Sequence, residues 1–141
     1  MVDIQNLLMA LDNNENENII NLTNSKIMEY KNNCLQRLQL GREILKSYHQ
    51  KLKEYRYCSD ISCLNFGHYV RWISLKNPQK VYLTRGAILC GWKVVNDTIN
   101  LILKGSNNRV FEIKFDEAEV FQKLSNQEKV ILKVLEMIES T

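Results

Sequence analysis

The chain has 141 residues, with 19 Lys and Arg against 16 Asp and Glu, a formal charge of +3, 45% hydrophobic residues, five glycines and one proline. That length and apolar share predict one domain with a core of its own and exclude disorder by composition. No apolar run nears the roughly 18–20 residues of a membrane-spanning helix, and MVDIQNLLMALDNN has no basic n-region or cleavage site, so an intracellular protein without a membrane is expected.

Asparagine is abundant, 16 residues of 141, as AT-rich codon usage produces. Only residues 13–18 (NNENEN) form a polar tract, and six residues make a linker. Residues 1–18 are therefore read as a short helix followed by an Asn/Glu linker. Asp3 is its candidate cap, and Ile4, Leu7, Leu8 and Leu11 fall on one stripe.

Residues 19–56 read as one long amphipathic helix. In a heptad register Ile27, Cys34, Gly41, Tyr48 and Tyr55 share one seam position, and Lys31, Leu38, Leu45 and Leu52 the other. Ile27, Cys34, Leu38, Leu45, Tyr48 and Leu52 then form a face that either lies on the domain or docks a partner helix. Gly41 and Lys31 weaken a dimeric coiled coil, because Gly fills no hole and costs about 1 kcal/mol of helix propensity.

From residue 66 the period changes to two. Short β-branched and aromatic runs at 68–75, 80–84, 87–95, 98–104 and 109–115 are separated by Asn77-Pro78, Arg85-Gly86, Asn96-Asp97 and Gly105-Ser106-Asn107-Asn108, all with turn chemistry. These five strands at close spacing predict a small antiparallel barrel or curled sheet, and Val120-Phe121 is a candidate sixth strand. Ser125-Asn126-Gln127-Glu128 is a capping box that opens a C-terminal helix with the stripe Val130, Ile131, Val134, Leu135 and Ile138. The expected fold is α+β: a long N-terminal helix, then at 66–141 a small β-barrel-like domain with a C-terminal capping helix.

Motifs for chemistry are sparse. Cys58-x4-Cys63-x4-His68, with Cys90 as a fourth ligand, is a candidate zinc set, but a tight CxxC knuckle is missing, so core and loop thiols are the favoured reading. In the absence of a signal peptide the thiols are expected to stay reduced, with Cys34 and Cys90 as small buried hydrophobes. His49 lies in a polar stretch of the helix, and nothing in the spacing brings His68 to a cysteine for thiolate chemistry. Asp116, Glu117 and Glu119 read as a solvated run, and no phosphate-cradling glycine loop occurs. An enzyme is disfavoured, and no cofactor is expected.

Charge layout carries more information than total charge. Residues 1–30 are net −4, 31–56 net +5, 57–115 net +5 and 116–141 net −3, so a central block of +10 sits between acidic ends. Arg37, Arg42, Lys46, Lys53 and Arg56 avoid the helix seam, and Arg71, Lys93, Lys104, Arg109 and Lys114 decorate the strands. Arg71 and Trp72 point to opposite sides of their strand, with Trp72 assigned to the core, as is Trp92.

The words Gly67-His68-Tyr69-Val70-Arg71-Trp72-Ile73-Ser74-Leu75, Leu83-Thr84-Arg85-Gly86-Ala87, Val110 to Asp116 and Val120 to Glu128 resemble a small domain of uncharacterised proteins from large DNA viruses of protists and algae. The likeness covers residues 67–128. It implies a viral or AT-rich-genome origin and a packing or binding role, and it transfers no site residues; those viral sequences commonly have a second glycine where Ala87 stands.

The leading expectation is a non-enzymatic binding module that contacts nucleic acid or another polyanion through phosphates, using Arg37, Arg42, Lys46, Lys53, Arg71, Lys93, Lys104, Arg109 and Lys114. The alternative is a structural or assembly subunit, such as a virion component, that docks a protein partner or a second copy through the long helix.

Overall fold

A computed structural model describes residues 4–13, 19 and 22–139. The chain is α+β. Its helices are α1 (Ile4–Asp12), α2 (Asn24–Arg37), α3 (Arg42–Lys51) and α4 (Asn126–Glu139), and its strands are β1 (Tyr55–Cys58), β2 (Tyr69–Ser74), β3 (Ala87–Val95), β4 (Thr98–Lys104), β5 (Val110–Lys114) and β6 (Ala118–Lys123). The Asn/Glu tract from 14 to 18, and Asp3 as a cap for α1, lie outside the described residues.

The single long helix expected over 19–56 is replaced by two helices and a strand. α2 stops at Leu38, Gln39 takes the left-handed conformation (φ 53°), and Gly41 is the N-cap of α3. A glycine with no side chain to fill the seam marks the break. Past Lys51 the aromatic pair Tyr55 and Tyr57 forms β1, where a strand with two buried faces uses them better than a helix end does.

All six strands pair antiparallel in the order β1-β6-β2-β3-β4-β5. The expected count of five misses β1, while Val120-Phe121 does belong to the last strand. Residues 80–84 form no strand; that stretch touches β2 through one bridge, Ile73 to Leu83, and through Thr84 N–H donating to Trp72 O (2.9 Å). β5 passes to β6 through the one-turn 3-10 helix Phe115–Glu117, yet three strands separate the two in the sheet. Across a flat sheet that gap is about 19 Å, whereas three 3-10 residues advance about 6 Å, so the sheet must curl. The Trp72 ring on β2 accordingly lies 5.9 Å from Phe111 on β5. β1 and β5 do not pair, so the curled sheet stays open and is not a closed barrel.

The curl gives two layers. Inside it, Val70, Trp72, Leu89, Leu101, Leu103 and Val120 are buried together. Outside β1, β6 and β2, the alternate residues Tyr55, Phe121 and Ile73 pack under Cys34, Leu35, Tyr48 and Leu52 of the α2–α3 hairpin; burying each large apolar side chain is worth about 1.5–3 kcal/mol. A third cluster joins Ala10 of α1, Ile27 of α2, and Ile131 and Leu132 of α4, with Ile19. The helix face proposed for a partner is thus occupied by the chain's own core: Ile27, Cys34, Tyr48 and Leu52 are buried, and Leu38 and Leu45 pack against that cluster half-buried.

The capping box at the start of α4 forms as the sequence implies. Ser125 Oγ accepts the Glu128 N–H (3.1 Å), and Glu128 Oε1 accepts the Ser125 N–H (3.0 Å). The same carboxylate does a second job, because Glu128 Oε2 pairs with Arg56 Nε at 3.1 Å with both side chains almost wholly buried. Arg56 is therefore not part of a solvated basic face. Its remaining donors reach Cys63 O (2.7 Å) and Cys58 Sγ (3.2 Å).

Candidate polyanion-binding groove

The α2–α3 hairpin carries Arg42 and Lys46, and the turn after it Lys53. α2 begins with Thr23, whose hydroxyl accepts the Lys26 N–H at 3.1 Å, and it packs Ile27, Lys31, Cys34 and Leu35 inward. Lys31, an anomaly in the heptad seam, is 5% exposed. Its Nζ donates to Leu52 O (2.8 Å) and Tyr55 O (3.0 Å), so a cation closes the C-terminus of α3, where carbonyls have no helical partner and the dipole is negative. Burial lowers the proton affinity of Lys31. His49, one turn before that end, has its pKa pulled below the ordinary 6.5 by burial and then by the charge of Lys31.

Beside these two groups lies a groove of about 620 Å³, lined by Met28, Lys31, Asn32, His49 and Lys53, with Glu29 as its one carboxylate. Arg42, Lys46 and His49 follow at i, i+4 and i+7, a spacing that keeps them on one flank of α3, and Lys53 follows in the turn after the helix. Arg42, Lys46 and Lys53 are exposed, and none joins an ion pair among the described residues. From Arg42 to His49, seven residues at 1.5 Å each, the helical part of the stripe extends about 10 Å.

The other six basic residues singled out from the sequence are elsewhere and differently engaged. Arg37 ends α2 with a guanidinium nitrogen 4.0 Å from Glu119 and its centre 6.0 Å above the Tyr57 ring. Arg71 donates through Nε to Thr84 O (2.8 Å) and is half-buried against the loop before β3. Lys93 binds Glu112 at 3.0 Å, and its hydrogen bond is the main reason that the Glu112 carboxyl sits below the usual carboxylate range. Lys114 lies 3.9 Å from Glu117, which Lys76 also approaches at 3.5 Å. Lys104 stands between Ile88 and Val110 across the outer face of β3, β4 and β5, and Arg109 is exposed in the turn before β5. The nine residues do not converge on one face. Three share the α3 flank, three face carboxylates, and three stand apart.

Two side chains have to be moved from where the sequence put them. Trp92 is 43% exposed rather than core. A bulge between Leu89 and Gly91 shifts the register, so that Trp92 pairs with Leu101, and β2 accompanies β3 only at Ala87 and Ile88; the end of the hairpin projects past its roof. Cys90, the bulged residue, is exposed, while Cys34 and Cys58 are buried. Trp72 is 8% exposed, in the core as expected.

Burial pushes the Cys58 thiol up to about 12, and the Cys34 thiol is also pushed up by burial and donates to Glu119 Oε2 at 3.3 Å. Both are therefore poor nucleophiles and poor metal ligands. Among the described residues no three His, Cys, Asp or Glu side chains gather as a metal site, and Cys58, Cys63, His68 and Cys90 do not form one. No described helix is long and apolar enough to cross a membrane.

No family model, curated protein or solved structure matches the chain.

Proposed function

We propose that this protein is a non-enzymatic binding module that holds nucleic acid or a comparable polyanion along the α3 flank of its helical hairpin. The observation that carries the reading is the set of Arg42 and Lys46 on α3 and Lys53 in the turn after it, all exposed and without an ion pair among the described residues, with Lys53 lining the same groove as Lys31 and His49. Elsewhere on the surface Arg37, Lys93 and Lys114 have a carboxylate within 4.0 Å, so a phosphate there must compete with a resident anion. Arg42, Lys46 and Lys53 have no carboxylate within 4.0 Å among the described residues, although Glu29 lines the groove and Glu54 feels the charge of Lys53. The helical part of the flank spans about 10 Å, close to three base pairs of axial rise, and with no base-reading element beside it the contact is to phosphates.

Three contacts imply a modest interaction. With Z near three, log K against log salt should fall with a slope of about −2.7 on duplex DNA, and dissociation constants should lie in the range of about 10⁻⁴–10⁻⁶ M. A fluorescence-anisotropy titration of labelled DNA or RNA across a salt series measures both. Absence of binding at low salt, or affinity indifferent to salt, contradicts the proposal.

Proton linkage adds an independent signal. His49 is held below the ordinary 6.5 by burial and by Lys31, and an anion in the groove relieves that repulsion and raises its proton affinity. Binding should therefore strengthen as pH falls from about 7 through the range below 6.5. His49→Gln should flatten the pH dependence while leaving the salt slope in place.

A further inference from the structure

A second cleft opens on the other side of α2. Met28 and Asn32 of that helix line the groove beside α3. Tyr30, Asn33 and Arg37, at spacings of three and four, form the opposite stripe, and with Arg56, Tyr57 and Ser59 they line a cavity of about 380 Å³, a size that suits a small ligand. Tyr57 is its fixed wall. β1 sets that ring against Phe121, with centroids 5.5 Å apart, and burial followed by hydrogen bonding to Glu119 raises the hydroxyl pKa, so the ring stays neutral. The Arg37 guanidinium stands over the ring at 6.0 Å. That is the outer limit of a cation–π contact, and about 1 Å short of the roughly 7 Å that a flat ring sandwiched at two contacts of about 3.5 Å requires. The Arg37 side chain is 60% exposed and its carboxylate partner Glu119 lies 4.0 Å away, so an opening of that size breaks only a weak surface pairing.

The lining decides what fits between them. Neither cation is spare: Arg56 is spent on Glu128, Cys63 O and Cys58 Sγ, and Arg37 faces Glu119, so the cleft is poorly suited to a bare phosphate. Among the described residues no carboxylate lines it, which removes the partners that a metal ion or an ammonium group needs. An aliphatic ligand would cover the Asn33 amide and the Ser59 hydroxyl without answering them. A planar heteroaromatic ring uses every part, with two faces for Tyr57 and Arg37 and an edge of donors and acceptors for Asn33 and Ser59. We propose that this cleft holds a single unstacked nucleobase between the Tyr57 ring and the Arg37 guanidinium, supplied by a free nucleoside or by a single strand. In the second case the inference rests on the nucleic-acid reading above and makes single strands the preferred form.

The test titrates the full chain with adenosine, uridine and ribose 5-phosphate, followed by two-dimensional NMR. The expected result is binding of the nucleosides at millimolar concentration, with amide shifts centred on Tyr30, Arg37 and Tyr57 and no such shifts from ribose 5-phosphate. Salt should change the affinity little, because the base is neutral. Tyr57→Leu should weaken adenosine binding at least about tenfold, and Tyr57→Phe should keep it, since it keeps the ring. Arg37→Ala, at an exposed side chain that leaves the melting temperature unchanged, should weaken it several-fold. Arg42→Ala, Lys46→Ala and Lys53→Ala together should leave adenosine affinity as it is, so failure of the groove and failure of the cleft are read separately. Oligonucleotides distinguish the two sources. A preference for oligo(dA) over the dA·dT duplex that Arg37→Ala removes assigns the base to a strand, and adenosine binding without that preference assigns it to a free nucleoside. Any of four outcomes overturns the proposal: no shifts from either nucleoside, shifts away from α2 and β1, ribose 5-phosphate binding as well as adenosine does, or adenosine affinity unchanged in Arg37→Ala and Tyr57→Leu alike.

Discussion

Lys31, Arg56 and Glu128 show how single residues decide this fold. Each is charged and almost wholly buried, a state tolerated only when its hydrogen-bonding groups are met. Lys31 meets the Leu52 carbonyl at the end of α3 and the Tyr55 carbonyl of β1, and Arg56 meets the Glu128 carboxylate together with a carbonyl and a thiol. Glu128 is also the capping-box acid of α4, so one carboxylate joins β1 to the last helix and starts that helix. Glu128→Ala should lower the unfolding free energy by about 3–5 kcal/mol, because it leaves the Arg56 charge buried without a counter-ion. Urea denaturation monitored by circular dichroism measures the loss. A change under about 1 kcal/mol, typical of an exposed pair, would show that Arg56 reaches water. Of this triad only the capping role of Glu128 was readable from sequence. Arg56 looked like a solvated helix residue, since nothing local says that β1 turns it inward.

At the scale of elements, the strands whose alternation was clean were found where the sequence put them. β4 occupies 98–104 as expected, β5 differs by one residue at each end, and β3 matches 87–95. The two-residue connection Asn96-Asp97 has both φ values positive (50° and 63°), the type I′ geometry that joins strands of right-handed twist. Asp97→Gly removes the side-chain penalty of the left-handed region and should stabilise the chain by about 0.5–1 kcal/mol, seen as a higher melting temperature. Gly86→Ala should do the opposite. At φ +101° a Cβ there would lie 2.5 Å from Val70 O, so β2 and the β3 approach must separate; a neutral effect on melting would show that the turn relaxes freely. What sequence could not reveal at this scale was tertiary. The 19–56 run keeps an apolar seam across Gly41 because α2 and α3 both cover the same sheet face, so one periodic pattern encodes two helices. β1 is short and follows that pattern without punctuation. The bulge at Cys90 leaves no composition signal; it sets Trp92 opposite the buried Leu101, and Trp92 is exposed because β2 pairs with β3 only at Ala87 and Ile88.

For the whole molecule, the +10 central block survives as sequence arithmetic but not as one surface. Folding distributes it, with Arg56 and Lys31 buried, Arg37, Lys93 and Lys114 set against carboxylates, and Arg42 and Lys46 on α3 and Lys53 just after it without an ion pair among the described residues. The strand cations do not gather with those of α3, for a physical reason. Cross-strand neighbours are chosen by register, and register sets Glu112 among Lys93, Asn100 and Lys114, which a list of charges cannot foresee.

The most direct measurement compares two charge-removal variants in the same DNA-binding salt series. Arg42→Ala, Lys46→Ala and Lys53→Ala together should abolish measurable affinity and the salt slope of about −2.7 that three phosphate contacts produce, with the melting temperature within a few degrees of the parent because all three side chains are exposed. Lys93→Ala with Lys114→Ala should bind as the parent does. If the strand pair loses binding and the α3 triple retains it, the groove is in the wrong place and the account fails.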